Sequence, residues 1–208
     1  MNNKIRVLAI SSSSKTGGGP SHIFLLRNLL KHNFDFYLSM PSIEEKYKKI
    51  DLKKYLEICE RKISLIDIIR LIIFAKKNRI NIIHAHGKGA GLIGRIIKIF
   101  LRIPLIYTFH GIHTDCLSKF KKNLYIIYEN MTGWLDDEKI FVSLSEKNQA
   151  KNHKIIIGRN YRIINNAVQN KNIRQKNFKN NNKIFGIDND KKNIISVCRL
   201  VDQKNIFE

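Results

Sequence analysis

Ile82 to Gly111, IIHAHGKGAGLIGRIIKIFLRIPLIYTFHG, constrains the fold of this chain more than any other stretch. It reads strand, glycine loop, helix, strand. Both strands are nearly continuous apolar runs, and each stops at histidine and glycine. A strand with one wet face alternates apolar and polar residues. A continuous apolar run suits a strand buried on both faces of a parallel sheet. In open α/β sheets ligands bind just beyond the carboxyl ends of the strands. His84, His86 and His110 therefore fall where a site is expected.

The same alternation runs through most of the chain. Lys4–Ile10 predicts a first strand and Ser11–Gly19 a loop of small residues. A helix over Ser21–His32 starts at Pro20 and carries Ile23, Leu26, Leu29 and Leu30 on one face. Phe34–Leu38 is a short strand, Glu44–Arg61 a charged and exposed helix, and Ser64–Arg79 an apolar helix with Ser64 as N-cap. Strands follow at Asn81–Ala85, Leu105–Phe109, Lys139–Leu144 and Tyr161–Ile164. Helices at Ala90–Leu101, Leu117–Leu135 and Ser145–His153 separate them. Such alternation predicts an α/β fold with a doubly wound parallel sheet.

Composition changes at Asn165, and from there to Asn182 the chain is mostly Asn, Lys and Gln. The expected organisation is one domain over residues 1–167, a linker or crossover over 168–192, and at 193–208 the first strand and loop of an incomplete second domain. The strand Asn193–Val197 has no sheet partners within the chain, so residues after about Ala167 are expected to be poorly ordered by themselves.

With 208 residues, 43% of them hydrophobic, the chain can bury one full core. Lys and Arg number 38 against 17 Asp and Glu, so the net charge is 38 − 17 = +21. Two explanations fit that excess: an anionic partner, or a genome that favours Lys, Ile and Asn codons. Lys46, Lys48, Lys49, Lys53, Lys54, Arg61 and Lys62 cluster, and Arg95, Lys98 and Arg102 fall on one helical face, as on helices that lie on anionic membranes. Cys59, Cys116 and Cys198 make no paired framework, which favours a reducing compartment. The N-terminus lacks the apolar run of a signal peptide, and Ile63–Ala75, broken by Asp67 and Arg70, is short of the ~20 residues that cross a bilayer. The expected location is the cytoplasm, with peripheral contact at the inner face of the membrane.

Three groups of residues could carry chemistry. Thr16-Gly17-Gly18-Gly19-Pro20 lies between a strand and a helix, where the backbone can approach a phosphate and the helix N-terminus offers free N–H groups. The spacing matches neither the dinucleotide fingerprint nor the P-loop. His84, His86 and His110, with His113 and Asp115 nearby, could move protons, make polar contacts or bind a metal. His84 and His86 alternate on one face of an apolar strand, as satisfied core histidines do. Arg199 and Lys204, past the last strand, could clamp a diphosphate or be solvated charges.

Taken together the motifs resemble retaining glycosyltransferases of family 4, which have the GT-B fold. IRVLAISSSSKTGGGPSHIFLLRNLL resembles the family's first strand, glycine loop and helix. IIHAHGKGAGLIGRIIKIFLRIPLIYTFHG resembles its HAH motif, GxLGR helix and strand ending in T-x-HG, YRIINNAV its NGV strand, and SVCRLVDQKN its VGRLxxxKN. The departures are Cys198 and Ala167, which stand where the family has glycine. The resemblance implies a Rossmann-like acceptor-side domain facing a second domain that holds most of a nucleoside-diphosphate sugar. It implies transfer of that sugar to a glycan or lipid-linked acceptor, with retention of configuration and with neither metal nor cofactor. Gly18 and Gly19 would approach the donor phosphates, His110 would line the cleft at the transferred sugar, and Arg199 and Lys204 would neutralise the leaving diphosphate. The family's later acidic motif does not occur before Glu208, so the resemblance also implies a truncated chain, inactive alone or completed by a separately encoded half.

Two other functions compete. One is a non-catalytic basic module that binds membrane or nucleic acid, although no aromatic stacking platform points to nucleic acid as a partner. The other is a metal-dependent hydrolase built on His84, His86, His110, His113 and Asp115.

Overall fold

A computed structural model describes residues 4–14, 18–42, 51–112 and 117–167. All of them belong to one compact unit, Met1–Gln169. Thr16, Gly17, His113, Asp115, the linker at 168–192, the strand Asn193–Val197, Arg199 and Lys204 lie outside the described residues.

Seven strands form one sheet: β1 (Ile5–Ser11), β2 (Phe34–Met40), β3 (Tyr55–Glu57), β4 (Ile82–His86), β5 (Leu105–Thr108), β6 (Glu138–Phe141) and β7 (Tyr161–Ile163). Their order is β3-β2-β1-β4-β5-β6-β7, and every pairing is parallel. Among the described residues five α-helices connect them: α1 (Gly18–Leu30), α2 (Leu65–Lys77), α3 (Lys88–Leu101), α4 (Lys119–Thr132) and α5 (Leu144–Asn152). This is the doubly wound, Rossmann-like α/β sheet expected from the alternation.

Period-two alternation sorts each strand onto two cores. Val7, Ala9, Phe36, Leu38 and Met40 pack with Ile23 and Phe24 of α1. Leu8, Ile10, Ile83, Ala85, Leu105, Tyr107 and Phe141 pack on the other face with Leu71 of α2, Ile93 and Ile97 of α3 and Ala150 of α5. Right-handed crossovers account for this division. The chain winds one way from β1 to β3 and the other way from β4 to β7, so the switch lies between β1 and β4.

Local chemistry sets the helix limits. Ser64 Oγ accepts the Asp67 N–H at the start of α2, as the sequence predicts. Ser118 and Ser143 cap α4 and α5 in the same way. In α3, a Cβ added at Gly91 would lie 2.8 Å from the Tyr107 ring, and one at Gly94 would lie 2.9 Å from Leu105. Those glycines let α3 settle close against β4 and β5.

Two expectations are corrected. The helix predicted over Glu44–Arg61 gives way, in its described part, to a short 3-10 turn at Leu52–Lys54 and the edge strand β3. Tyr55 and Leu56 are strand formers, and Tyr55 Oη donates to the Met40 and Pro41 carbonyls beside the neighbouring strand. Pairing with β2 outweighs the helical charge pattern. The second correction is Arg95, read as part of an exposed basic face. It is 1% exposed and grips Asp136 through two hydrogen bonds of 2.9 and 2.7 Å. It also donates to Glu129 at 2.8 Å and Thr132 at 2.9 Å, which ties α3 to α4 and to the start of β6.

Candidate functional site

The carboxyl ends of β1, β4, β5 and β6 come together at one edge of the sheet. Register aligns Ser11 with His86, His86 with Thr108, and Thr108 with Ile140. Above this edge opens a cleft of about 360 Å³. Gly18 and Gly19 line it from the start of α1, His110 and Gly111 from the loop after β5, and Ser143, Ser145 and Glu146 from the start of α5. A larger hollow of about 470 Å³, around Lys4, Arg6 and Arg79, lies at the opposite edge, where open α/β sheets do not place their ligands.

His110 is held by its backbone. It takes φ +55° and Gly111 takes φ +105°, two consecutive left-handed residues at the end of a buried strand. A non-glycine residue there stores strain that its surroundings must hold, a state found most often at functional sites. Glu146 supplies part of that hold. Its carboxylate accepts the Gly111 N–H on one oxygen and the Val142 N–H, at 2.7 Å, on the other. Ser143 accepts the Glu146 N–H at 3.1 Å as the N-cap of α5, and the Glu146 carboxylate reaches across to the neighbouring strand end.

Alternation puts His84, His86, Thr108 and His110 on the α1 side of the sheet. His84 Nε2 and Thr108 Oγ1 lie 2.9 Å apart, and His86 Nδ1 and His110 Nε2 lie 2.9 Å apart. His22, on α1, completes the group, with its ring centroid 5.1 Å from that of His110 and 5.9 Å from that of His86. His22 Nδ1 and His86 Nε2 are buried without a hydrogen-bond partner. Burial depresses all four imidazoles, and repulsion among them adds to the effect at His84, His86 and His110. His84 falls to about 3 and His110 to about 4. All four are therefore neutral at pH 7, able to give or take a hydrogen bond but carrying no charge.

His22, His86 and His110 each offer a nitrogen within 4.8 Å of the others, a donor set that could hold a transition metal. In the arrangement present, one nitrogen of His86 and one of His110 instead satisfy each other. His84, read from the sequence as a satisfied core histidine, is 8% exposed and bonded to Thr108.

Gly18 and Gly19 begin α1, whose first turn carries no acidic side chain. A Cβ added at either would meet nothing within 4 Å. The fold itself therefore does not require glycine there; the open space belongs to the cleft.

Two members of the site escape the sequence reading. His22 is signalled only by its i, i+4, i+8 spacing with Leu26 and Leu30. Those three residues line one apolar hollow under α1 together with Val7, Ile106 and Ile140. Glu146 is signalled by the Ser-x-x-Glu spacing from Ser143.

Residues 16–171 match the family described as Glycosyltransferase Family 4. Comparison with curated proteins finds no match. Among solved structures, a glycosyltransferase from Rickettsia africae is similar, with a TM-score of 0.63 and 16% identity over 89% of this chain and 50% of that one. Anabaena HepE, crystallised with UDP-glucose, has a TM-score of 0.60 and 15% identity over 79% of this chain and 44% of its own. A fragment of sucrose-phosphate synthase from Thermosynechococcus elongatus has a TM-score of 0.55 and 12% identity over 79% of this chain and 90% of its own. At such identities the likeness concerns the fold, the Rossmann-like half of a GT-B architecture. The chain spans about half the length of the HepE and Rickettsia proteins.

Proposed function

The chain belongs to glycosyltransferase family 4, and from that premise we propose that it forms the acceptor-side half of an enzyme moving a sugar from a nucleoside diphosphate to a glycan or lipid-linked acceptor. The observation that carries the proposal is the cleft itself. The N-terminus of α1 at Gly18 and Gly19 faces a strained, neutral His110 across an opening at the strand ends. The first element suits phosphate and the second suits a sugar hydroxyl.

In this reading Gly18 and Gly19 let the backbone approach the donor diphosphate, and His110 hydrogen-bonds the transferred sugar. Glu146 keeps the His110–Gly111 turn in place. Arg199 and Lys204 neutralise the departing diphosphate, since stabilising charge that develops on the leaving group is the main electrostatic task of such a transfer. The reaction retains the anomeric configuration, transfers a hexose, needs no metal, and serves cell-surface polysaccharide assembly at the cytoplasmic side of the membrane. Residues beyond this domain, in the same polypeptide or a separately encoded one, complete the donor pocket. HepE, crystallised with UDP-glucose, supports a nucleotide sugar as donor.

The test is to join the chain to the residues that complete its donor pocket, titrate the resulting enzyme with a panel of nucleoside-diphosphate sugars, and then measure transfer to lipid-linked and glycan acceptors. Binding of at least one donor, and a product whose anomeric proton coupling matches the donor's, are the expected results. A completed enzyme that binds no nucleoside-diphosphate sugar and transfers none overturns the proposal, and an inverted product overturns retention.

A further inference from the structure

Helix α4 packs Tyr125 and Ile126 against the core but also carries an apolar stripe on its outer side. Its buried residue is Glu129, held by Arg95, whereas Phe120, Leu124, Ile127 and Met131 form a single outward stripe. Trp134 extends that stripe, and the five side chains are between 52% and 79% exposed. Monomeric soluble proteins scatter exposed apolar residues singly and seldom line them up.

The neighbouring helices continue the pattern. On α2, Leu65, Ile66, Ile69 and Ile73 point to solvent, while Asp67, Leu71 and Ala75 are buried. On α3, Ile99 and Phe100 are exposed. Helices α2 and α3 touch, and Arg95 ties α3 to α4, so these residues share one face of the molecule, on the side of the sheet away from α1.

Charge identifies the partner. Residues 62–135 carry twelve Lys and Arg, of which Arg95 is buried against Asp136 and Glu129 and Lys98 pairs with Asp137, but only three Asp and Glu. Of the three acids, Asp67 and Glu129 are buried and Asp115 lies outside the described residues. Lys119, Lys121 and Lys122 sit at the start of the α4 stripe, Lys62 and Arg70 beside that of α2, and Arg102 at the end of α3. Lys62, Arg102, Lys119 and Lys121 together form a cationic rim that suits an anionic surface better than a protein partner of ordinary composition. Apolar side chains interspersed with lysines, with a tryptophan at one end, fit the boundary between headgroups and acyl chains. None of the described helices is long and apolar enough to span a bilayer.

We propose that the outward face of α2, α3 and α4 lies on an anionic lipid bilayer, with the α4 stripe and Trp134 inserted at headgroup depth. This deepens the acceptor side of the transfer reading, since it brings the cleft to a lipid-linked substrate. It rests on that reading for its purpose only, and its test uses neither donor nor acceptor.

Trp134 is the only tryptophan in the chain and so reports on its own burial. The 208-residue chain is mixed with vesicles of pure phosphatidylcholine and with vesicles containing about 30% phosphatidylglycerol, and emission and co-sedimentation are read at low and high salt. A blue shift and co-sedimentation with the anionic vesicles are expected, with only part of the binding lost at high salt because apolar insertion is not screened. The pair Phe120→Ser and Leu124→Ser, both on the surface and checked for retained fold by circular dichroism, should weaken binding about tenfold. The triple change of Lys119, Lys121 and Lys122 to Glu should abolish the preference for anionic lipid. No blue shift with anionic vesicles at low salt overturns the proposal, as does binding that neither set of substitutions alters. Either result leaves the transfer proposal to its own assay.

Discussion

At the scale of single residues, His110 and the two cleft glycines make different demands on the fold, and this allows their roles to be separated. Gly18 and Gly19 have empty space where a side chain would stand. Gly19→Ala should therefore leave the melting temperature within a degree or two, yet weaken donor binding about tenfold if phosphate approaches the backbone there. Equal donor affinity in the variant would remove the glycine from the donor site. His110 lines the cleft as a neutral imidazole, since burial holds its pKa down to about 4, with His22 adding to the effect. If His110 contacts the transferred sugar as proposed, His110→Ala should lower the transfer rate of the completed enzyme about 100-fold. Wild-type activity between pH 5 and 8 should show no inflection near the ordinary histidine value of 6.5. An inflection there that vanishes in the variant would mean His110 acts as a charged group. The sequence exposes His110 because a strand that ends in histidine and glycine is unusual. His22 is hidden because one histidine on an amphipathic helix looks like any other.

At the scale of elements, α3 shows how one sequence pattern can mean two things. Arg95, Lys98 and Arg102 share a helical face by spacing, but only Arg95 meets buried acids. Asp136 and Glu129 lie 41 and 34 residues downstream, and only the packing of α4 and the approach to β6 brings them to it. Breaking a buried ion pair leaves the remaining charges unpaired, so Arg95→Ala should cost about 3–5 kcal/mol in urea unfolding. A loss below about 1 kcal/mol would show the network to be solvated or dispensable. The edge strand β3 teaches the same lesson in reverse. Its three residues lie in a charged stretch of helical appearance, and pairing with β2 decides their state. Short edge strands are the elements for which local sequence says least, because one neighbour supplies most of their stability. The long helices and buried strands are legible to within two or three residues, because apolar periodicity and caps such as Ser64 are local signals.

At the scale of the whole molecule, the histidine group links the site to stability. In the unfolded chain these imidazoles take up protons near 6.5, whereas His84 and His110 in the fold resist protonation down to about 3 and about 4. Between those values the unfolded state binds more protons, so stability is complete above about pH 6.5 and falls as the pH drops toward 4. The slope should approach about 1.4 kcal/mol per pH unit for each imidazole held neutral. Melting curves at pH 7, 6 and 5 check this, and a stability that stays flat over that range would refute it. Sequence alone determined the parallel α/β sheet, the order of its elements and the presence of histidine and glycine at the strand ends, because all of these follow from periodicity and composition along short stretches. Tertiary structure alone decided that His22 and Glu146 join His110, that Arg95 turns inward, and that the outer side of α4 is apolar as well as the inner. Each of those outcomes depends on which distant residue packs opposite. No local pattern carries that information, and burial makes the difference between a solvated charge and a paired one.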